Sequence, residues 1–153
     1  MSQATKITIA FAIANIALFC WFSGFIAEDA YIVYRYSENL ANGNGLVFND
    51  GEYVSALTSP LHSLIVSLLY TLTGESAYTN RIFALGLHFG ATLLAFRLIH
   101  RDRNPTLFGL LVWISPFAIF WTAGGLETMF LASFLVLSYA AACRCVESVH
   151  NKF

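Results

Sequence analysis

Two adjacent carboxylates, Glu28 and Asp29, open the longest polar stretch of the chain, residues 28–60, and a third, Glu127, follows the pair Gly124-Gly125. A carboxylate so placed could act as a general base toward an acceptor hydroxyl. Asp29 and Glu127 could instead hold a divalent cation, Mg or Mn, that neutralises a phosphate leaving group. A plainer use is open for each acid. Glu28 and Asp29 could be the water-facing end of an apolar segment, with Asp29 capping a helix, and Glu127 a first-turn acid favoured by its helix dipole. Arg35 could clamp a phosphate or pair with Glu38 or Asn39 one turn away. Arg81 could meet substrate or lipid headgroups, and His62, beside Pro60, could line a polar substrate cavity or serve the packing alone.

The elements that must position these residues are apolar. The chain is 58% apolar and 11% charged, against roughly 45 to 50% and 25% in soluble domains. That composition specifies an all-α integral membrane protein forming one membrane domain, residues 1–153, embedded in lipid. The formal net charge is −1, so no basic field argues for nucleic acid. Cys20 lies in the first apolar segment and Cys143 and Cys145 in the last. No second pair or His stands at metal-ligand spacing, so they read as reduced thiols.

Residues 7–27 can span a bilayer as a helix of about 20 residues. The segment exceeds a signal-peptide core and lacks a small-residue cleavage site, so it reads as a retained anchor. Lys6 before it and the acids after it put the N-terminus in the cytoplasm and the acidic loop outside. From Asp29 the pattern is helical, with Ile32, Val33, Tyr36 and Leu40 on one face and Arg35, Glu38, Asn39 and Asn42 on the other. Residues 46–48 and 53–54 flank Asn49-Asp50-Gly51 as a small hairpin. The apolar run 61–72 is too short to cross, so it lies in the interface. Spans at 78–99, 106–122 and 126–142 follow, with Pro116 a kink and Ala123-Gly124-Gly125 a tight outer turn. This arrangement of about four transmembrane helices, with two interfacial helices in an outer loop over 28–77, leaves Lys6, Arg101, Arg103, Arg144 and Lys152 cytoplasmic, with Arg35 and Arg81 the outer exceptions. It also puts Glu127 on the same side as Glu28 and Asp29. Tyr31, Tyr34, Tyr36, Tyr53, Trp21 and Trp121 suit an interfacial aromatic belt, and His88, in mid-span, faces another helix.

The wording of the loop carries a resemblance. Glu28-Asp29-Ala30-Tyr31-Ile32, Arg35-Tyr36, Gly43-Asn44-Gly45-Leu46-Val47-Phe48-Asn49 and Thr58-Ser59-Pro60-Leu61, followed later by Gly124-Gly125-Leu126-Glu127-Thr128, are present in that order. They resemble the first outer loop and a Gly-Leu-Glu-Thr element of GT-C membrane glycosyltransferases, in the bacterial branch that includes terminal arabinofuranosyltransferases. The resemblance covers the family's N-terminal part. It implies an inverting transfer of sugar from a polyprenyl-phosphate donor on the outer face of a bacterial inner membrane. It also implies Asp29 as general base with Glu28 beside it, or acting with a metal, and Glu127 as the second acid. Members are several times longer, so a short or truncated form, or a site completed by another membrane subunit, is expected. Two departures stand out: Glu28 where members often have Asp, and His62 where they often carry Trp.

Overall fold

The structure, a computed structural model, describes residues 3–99 and 116–150. Six helices lie among them: α1 Gln3–Phe22, α2 Glu28–Ala41, α3 Pro60–Thr73, α4 Ala77–Ile99, α5 Pro116–Gly124 and α6 Thr128–His150. No strand occurs among the described residues. Helix α4 packs along α6, α2 lies on α3, and α1 lies against α5.

The helix boundaries follow from local chemistry. In α3, Pro60 occupies the first turn, where its missing N–H costs nothing. The helix stops at Gly74, which takes φ +76° and donates its N–H to Tyr70 O at 2.7 Å. Helix α4 then begins under a carboxylate cap, because Glu75 Oε2 accepts from the N–H groups of Tyr78 at 2.7 Å and Thr79 at 3.4 Å. Ser76 donates to Glu38 Oε1, tying this turn to α2. With 14 residues, α3 extends about 21 Å at the α-helical rise, short of the roughly 30 Å hydrocarbon core of a bilayer. Within α6, Thr128–Val146 is long and apolar enough to cross a membrane, and it is the one such stretch among the described residues. The expected span 78–99 coincides with α4 and the expected span 126–142 falls largely in α6. Residues 106–115 and the basic positions 101, 103 and 152 lie outside the described residues, and Pro116, expected at a kink, is the first residue of α5.

Several expectations fail here for identifiable reasons. The apolar segment 7–27 leaves the helical path after Phe22, where Ser23 and Gly24 form a turn. Of the two places open to Asp29, cap or first-turn acid, it takes the second: Ala27 occupies the cap position, and Glu28 and Asp29 both fall in the first turn of α2. Asn39, expected on the polar face, and Tyr34 and Tyr36, expected in the interfacial belt, are buried. The hairpin over 46–54 does not form, because α2 takes the carbonyls that a partner strand would need. Asn39 Nδ2 donates to Val47 O and Phe48 O, each at 2.9 Å, and Arg35 Nε donates to Phe48 O at 3.1 Å. The buried Tyr36 hydroxyl donates to Val54 O and accepts from Ala56 N at 3.1 Å. Only the turn survives, closed by Glu52 N donating to Asn49 O at 3.1 Å.

The turn joining α5 to α6 requires its glycines. Gly125 takes φ +80°, and a Cβ there would collide with the Tyr34 hydroxyl; Gly43 takes φ +84° with open space around it. Both Ala substitutions meet the left-handed backbone penalty, and only Gly125→Ala adds a clash. Thermal unfolding in detergent is expected to show a loss of about 1 to 2 kcal/mol for Gly43→Ala and about 2 to 5 kcal/mol for Gly125→Ala. Pairing Gly125→Ala with Tyr34→Phe, which deletes the colliding oxygen, should recover part of the difference.

Candidate active site

The α5–α6 turn and the start of α2 meet at one junction. Ala27 N donates to Gly124 O at 3.0 Å, and Ala30 lies directly under Gly125. Phe25 stacks on Phe120 with ring centroids 4.5 Å apart, holding the chain entering α2 against α5. Ala30, Val33, Tyr34 and Val66 form a buried apolar cluster beneath, with Ile26 and Leu126 packed on its edge. This junction puts Glu28 and Asp29, one and two residues after Ala27, on the same end of the bundle as Glu127, two residues after Gly125. Thr58, just before α3, donates to Glu127 Oε1 at 3.4 Å. Glu28 and Asp29 are exposed and Glu127 is half-buried. Both α2 acids sit where the helix dipole favours negative charge.

Beneath the acids runs a buried polar chain that the sequence reading missed. Asn80 of α4, fully buried, donates from Nδ2 to Gly125 O at 2.8 Å and to the Tyr34 hydroxyl at 3.3 Å. Its Oδ1 lies 3.0 Å from His62 Nε2. A carbonyl oxygen only accepts, so Gly125 fixes which end of the Asn80 amide faces it. Oδ1 must then face His62, and Nε2 must carry the imidazole proton. Nδ1 is left with its lone pair, and it has no hydrogen-bond partner. Burial holds the His62 pKa below its ordinary value, against the opposing pulls of Asn80 and of Glu127. Burial likewise pushes the Tyr34 phenol up, with Asn80 and Arg81 opposing. An Asn within an otherwise apolar helix, beside an Arg, was the available signal for this chain, since polar groups there must find partners.

The remaining expected residues are placed as follows. Arg81 points inward: it is 1% exposed, and Nη1 donates to Ser23 O at 2.8 Å and to Phe25 O and Ala123 O at 3.4 Å. Its guanidinium carbon also lies 4.6 Å from the Tyr78 ring centroid. Arg81 therefore ties the ends of α1 and α5 together from within, and no headgroup contact is built into that placement. Arg35 is exposed and donates to Phe48 O, while Glu38, its expected partner, accepts from Ser76. His88 is buried between helices as expected, lining a cavity of about 340 Å³ with Trp121 and Met129. Cys20, Cys143 and Cys145 form no disulfide. Among the described residues no group of three or more His, Cys, Asp and Glu side chains could hold a metal ion. Asp29 and Glu127 thus have no third protein ligand there. Compared with family models, curated proteins and solved structures, the chain shows no match.

Two outcomes follow from the polar chain. Asn80→Ala removes the partner of His62 Nε2 and leaves Gly125 O only the 3.4 Å hydrogen bond from the Tyr34 hydroxyl, and leaving buried groups poorly paired should lower stability by about 2 to 4 kcal/mol. His62 is held neutral in the folded state, so its contribution to stability is present above the unfolded His value of about 6.5 and is lost as pH falls below it. Thermal unfolding followed from pH 7.5 down to about 5 should fall more steeply for the wild type than for His62→Gln, which cannot titrate.

Proposed function

We propose that the chain is a GT-C-type glycosyltransferase module that transfers a sugar from a polyprenyl-phosphate donor to an acceptor on the outer face of a bacterial inner membrane. The observation that supports this reading best is the junction at Ala27 and Gly124. It unites the two stretches that carry the family resemblance, the acidic start of α2 and the Gly-Gly-Leu-Glu turn, although about 95 residues separate them in sequence. In this reading α1, α4, the segment containing α5, and α6 cross the membrane, α2 and α3 lie in the outer interface, and the N-terminus is cytoplasmic. A cytoplasmic side for positions 6 and 144 and an outer side for the acids agrees with the distribution of positive charge.

Asp29 takes the proton of the acceptor hydroxyl. The acceptor oxygen attacks the anomeric carbon, the bond from that carbon to the phosphate oxygen breaks, and polyprenyl phosphate leaves with the bonding pair. Attack opposite the leaving group inverts the anomeric centre. Glu28 adds negative charge beside the base, Glu127 orients hydroxyls from the opposite side of the junction, and Arg35, exposed on α2, meets the donor phosphate. Asp29 and Glu127 would be the residues to hold a divalent cation, which would supply neutralisation of the leaving phosphate. Arg81 serves by holding the junction.

A second reading, a noncatalytic membrane partner or assembly subunit that keeps this scaffold, is favoured by the exposure of Glu28 and Asp29. A site that excludes water from its base would cover them, and no described element does.

Membranes carrying the chain, supplied with a polyprenyl-phosphate sugar, should lose transfer by about 10²- to 10⁴-fold on Asp29→Asn. Equal transfer by the two proteins would remove the catalytic assignment and leave the partner-subunit reading. Topology is checked separately in a chain whose three native cysteines are replaced by Ser. Asp50→Cys and Leu72→Cys should react with an impermeant thiol reagent from outside, and Lys6→Cys only after permeabilisation. Labelling of position 72 from the cytoplasm alone would show that α3 crosses.

A further inference from the structure

A cavity of about 270 Å³ opens between α3 and α6. Where the two helices begin its lining is polar, with Thr58 and Ser59 just before α3 and Glu127 just before α6. Further along both helices the lining is apolar, and Leu61, Leu131 and Phe134 there are exposed. Leu131 and Phe134 belong to the stretch Thr128–Val146, long and apolar enough to cross a membrane, and Glu127 stands one residue before it. In a bilayer the polar end therefore lies at headgroup level, and the exposed apolar side chains meet acyl chains.

Glu127 decides the charge of the ligand. Its carboxylate is half-buried and accepts one long hydrogen bond, from the Thr58 hydroxyl at 3.4 Å. No Lys or Arg is among the described residues that line the cavity. A carboxylate drawn partly out of water needs a counter-charge. An anionic lipid offers its phosphate to the Ser59 hydroxyl, which makes no cap bond to α3, but brings nothing for Glu127. A neutral alcohol pairs with the carboxylate without compensating its charge. A primary ammonium does both, and its other N–H groups reach the Thr58 oxygen, whose proton is already directed at Glu127. A quaternary ammonium brings the charge without N–H donors.

We propose that this cavity holds the headgroup of a membrane phospholipid bearing a primary ammonium, with the ammonium on Glu127 and Thr58, the phosphate at Ser59, and the acyl chains running out past Leu61, Leu131 and Phe134. The occupant is a lipid and not a free amine, because the polar end continues into an exposed apolar wall that a hydrocarbon chain covers and a small amine leaves bare. This site goes beyond sugar transfer and rests only on the membrane placement of α6. An acceptor that engages Glu127 must displace the headgroup.

The test is native mass spectrometry of the full chain released from nanodiscs that hold phosphatidylethanolamine, phosphatidylcholine and phosphatidylglycerol in equal parts. Retained phosphatidylethanolamine should exceed each of the other two about tenfold or more, as a charge-assisted hydrogen bond supplies, and Glu127→Gln should remove the preference. Should that variant fail to fold, Leu131→Trp, at an exposed position that narrows the mouth, must remove it instead. Retention of either other lipid at an equal or greater level overturns the proposal. A preference that survives Glu127→Gln, or Leu131→Trp in its place, marks annular lipid only and overturns it as well. Displacement of the retained lipid by an equal concentration of O-phosphoethanolamine would overturn the choice of a lipid over a free amine. Selective retention in a chain that transfers no sugar would preserve this site and remove the transferase reading, so the two fail separately.

Discussion

The hydrogen bond from Asn80 to the carbonyl of Gly125 organises the end of the bundle where the acids stand. It joins α4 to the α5–α6 turn, and the same amide reaches α2 through Tyr34 and α3 through His62. A buried amide with several partners is costly to break, because each partner would lose a bond that water cannot replace. The geometry is also directional. A carbonyl accepts and cannot donate, so one end of the chain settles the proton position at the other, on the imidazole of His62.

Arg81 extends this control to the helix ends. The final carbonyls of a helix lack intrahelical partners, and Arg81 supplies donors to Ser23, Phe25 and Ala123 at the ends of α1 and α5. A cation among carbonyls at negative helix termini is favoured by the dipole as well as by hydrogen bonding. Neighbouring residues on α4 thus divide the work: Asn80 fixes the turn that carries Glu127, and Arg81 fixes the approach to the α2 acids. Neither touches Asp29, yet its position relative to Glu127 depends on both.

Local signals made the helices legible. Pro60 and Gly74 bound α3 closely, the alternation over 29–42 marked α2, and Ala123-Gly124-Gly125 announced a tight turn. The convergence of Glu28, Asp29 and Glu127 at one end was also readable from charge distribution. What could not be read depended on contacts between distant segments. Asn39 looks solvated on its helix, and only the return of Val47 and Phe48 gives its amide a buried role. The hairpin failed because backbone groups that seemed free to pair with each other were taken by side chains of α2. Arg81 looked like an interfacial cation because its carbonyl partners lie some 42 to 58 positions away.

His62 shows how one substitution can redirect a site. In the resembled family, a Trp often follows the Pro-Leu pair, and an indole N–H can only donate. An imidazole in its place can donate through one nitrogen while accepting through the other. Here Asn80 consumes the donor, so the remaining nitrogen, Nδ1, is an acceptor, and it is buried without a partner. Replacing indole with imidazole therefore puts a donor and an acceptor where an indole offers a donor alone. The residue departing from the resembled pattern is thus tied into the bundle through Asn80, which bonds the turn before Glu127 with the other end of its amide.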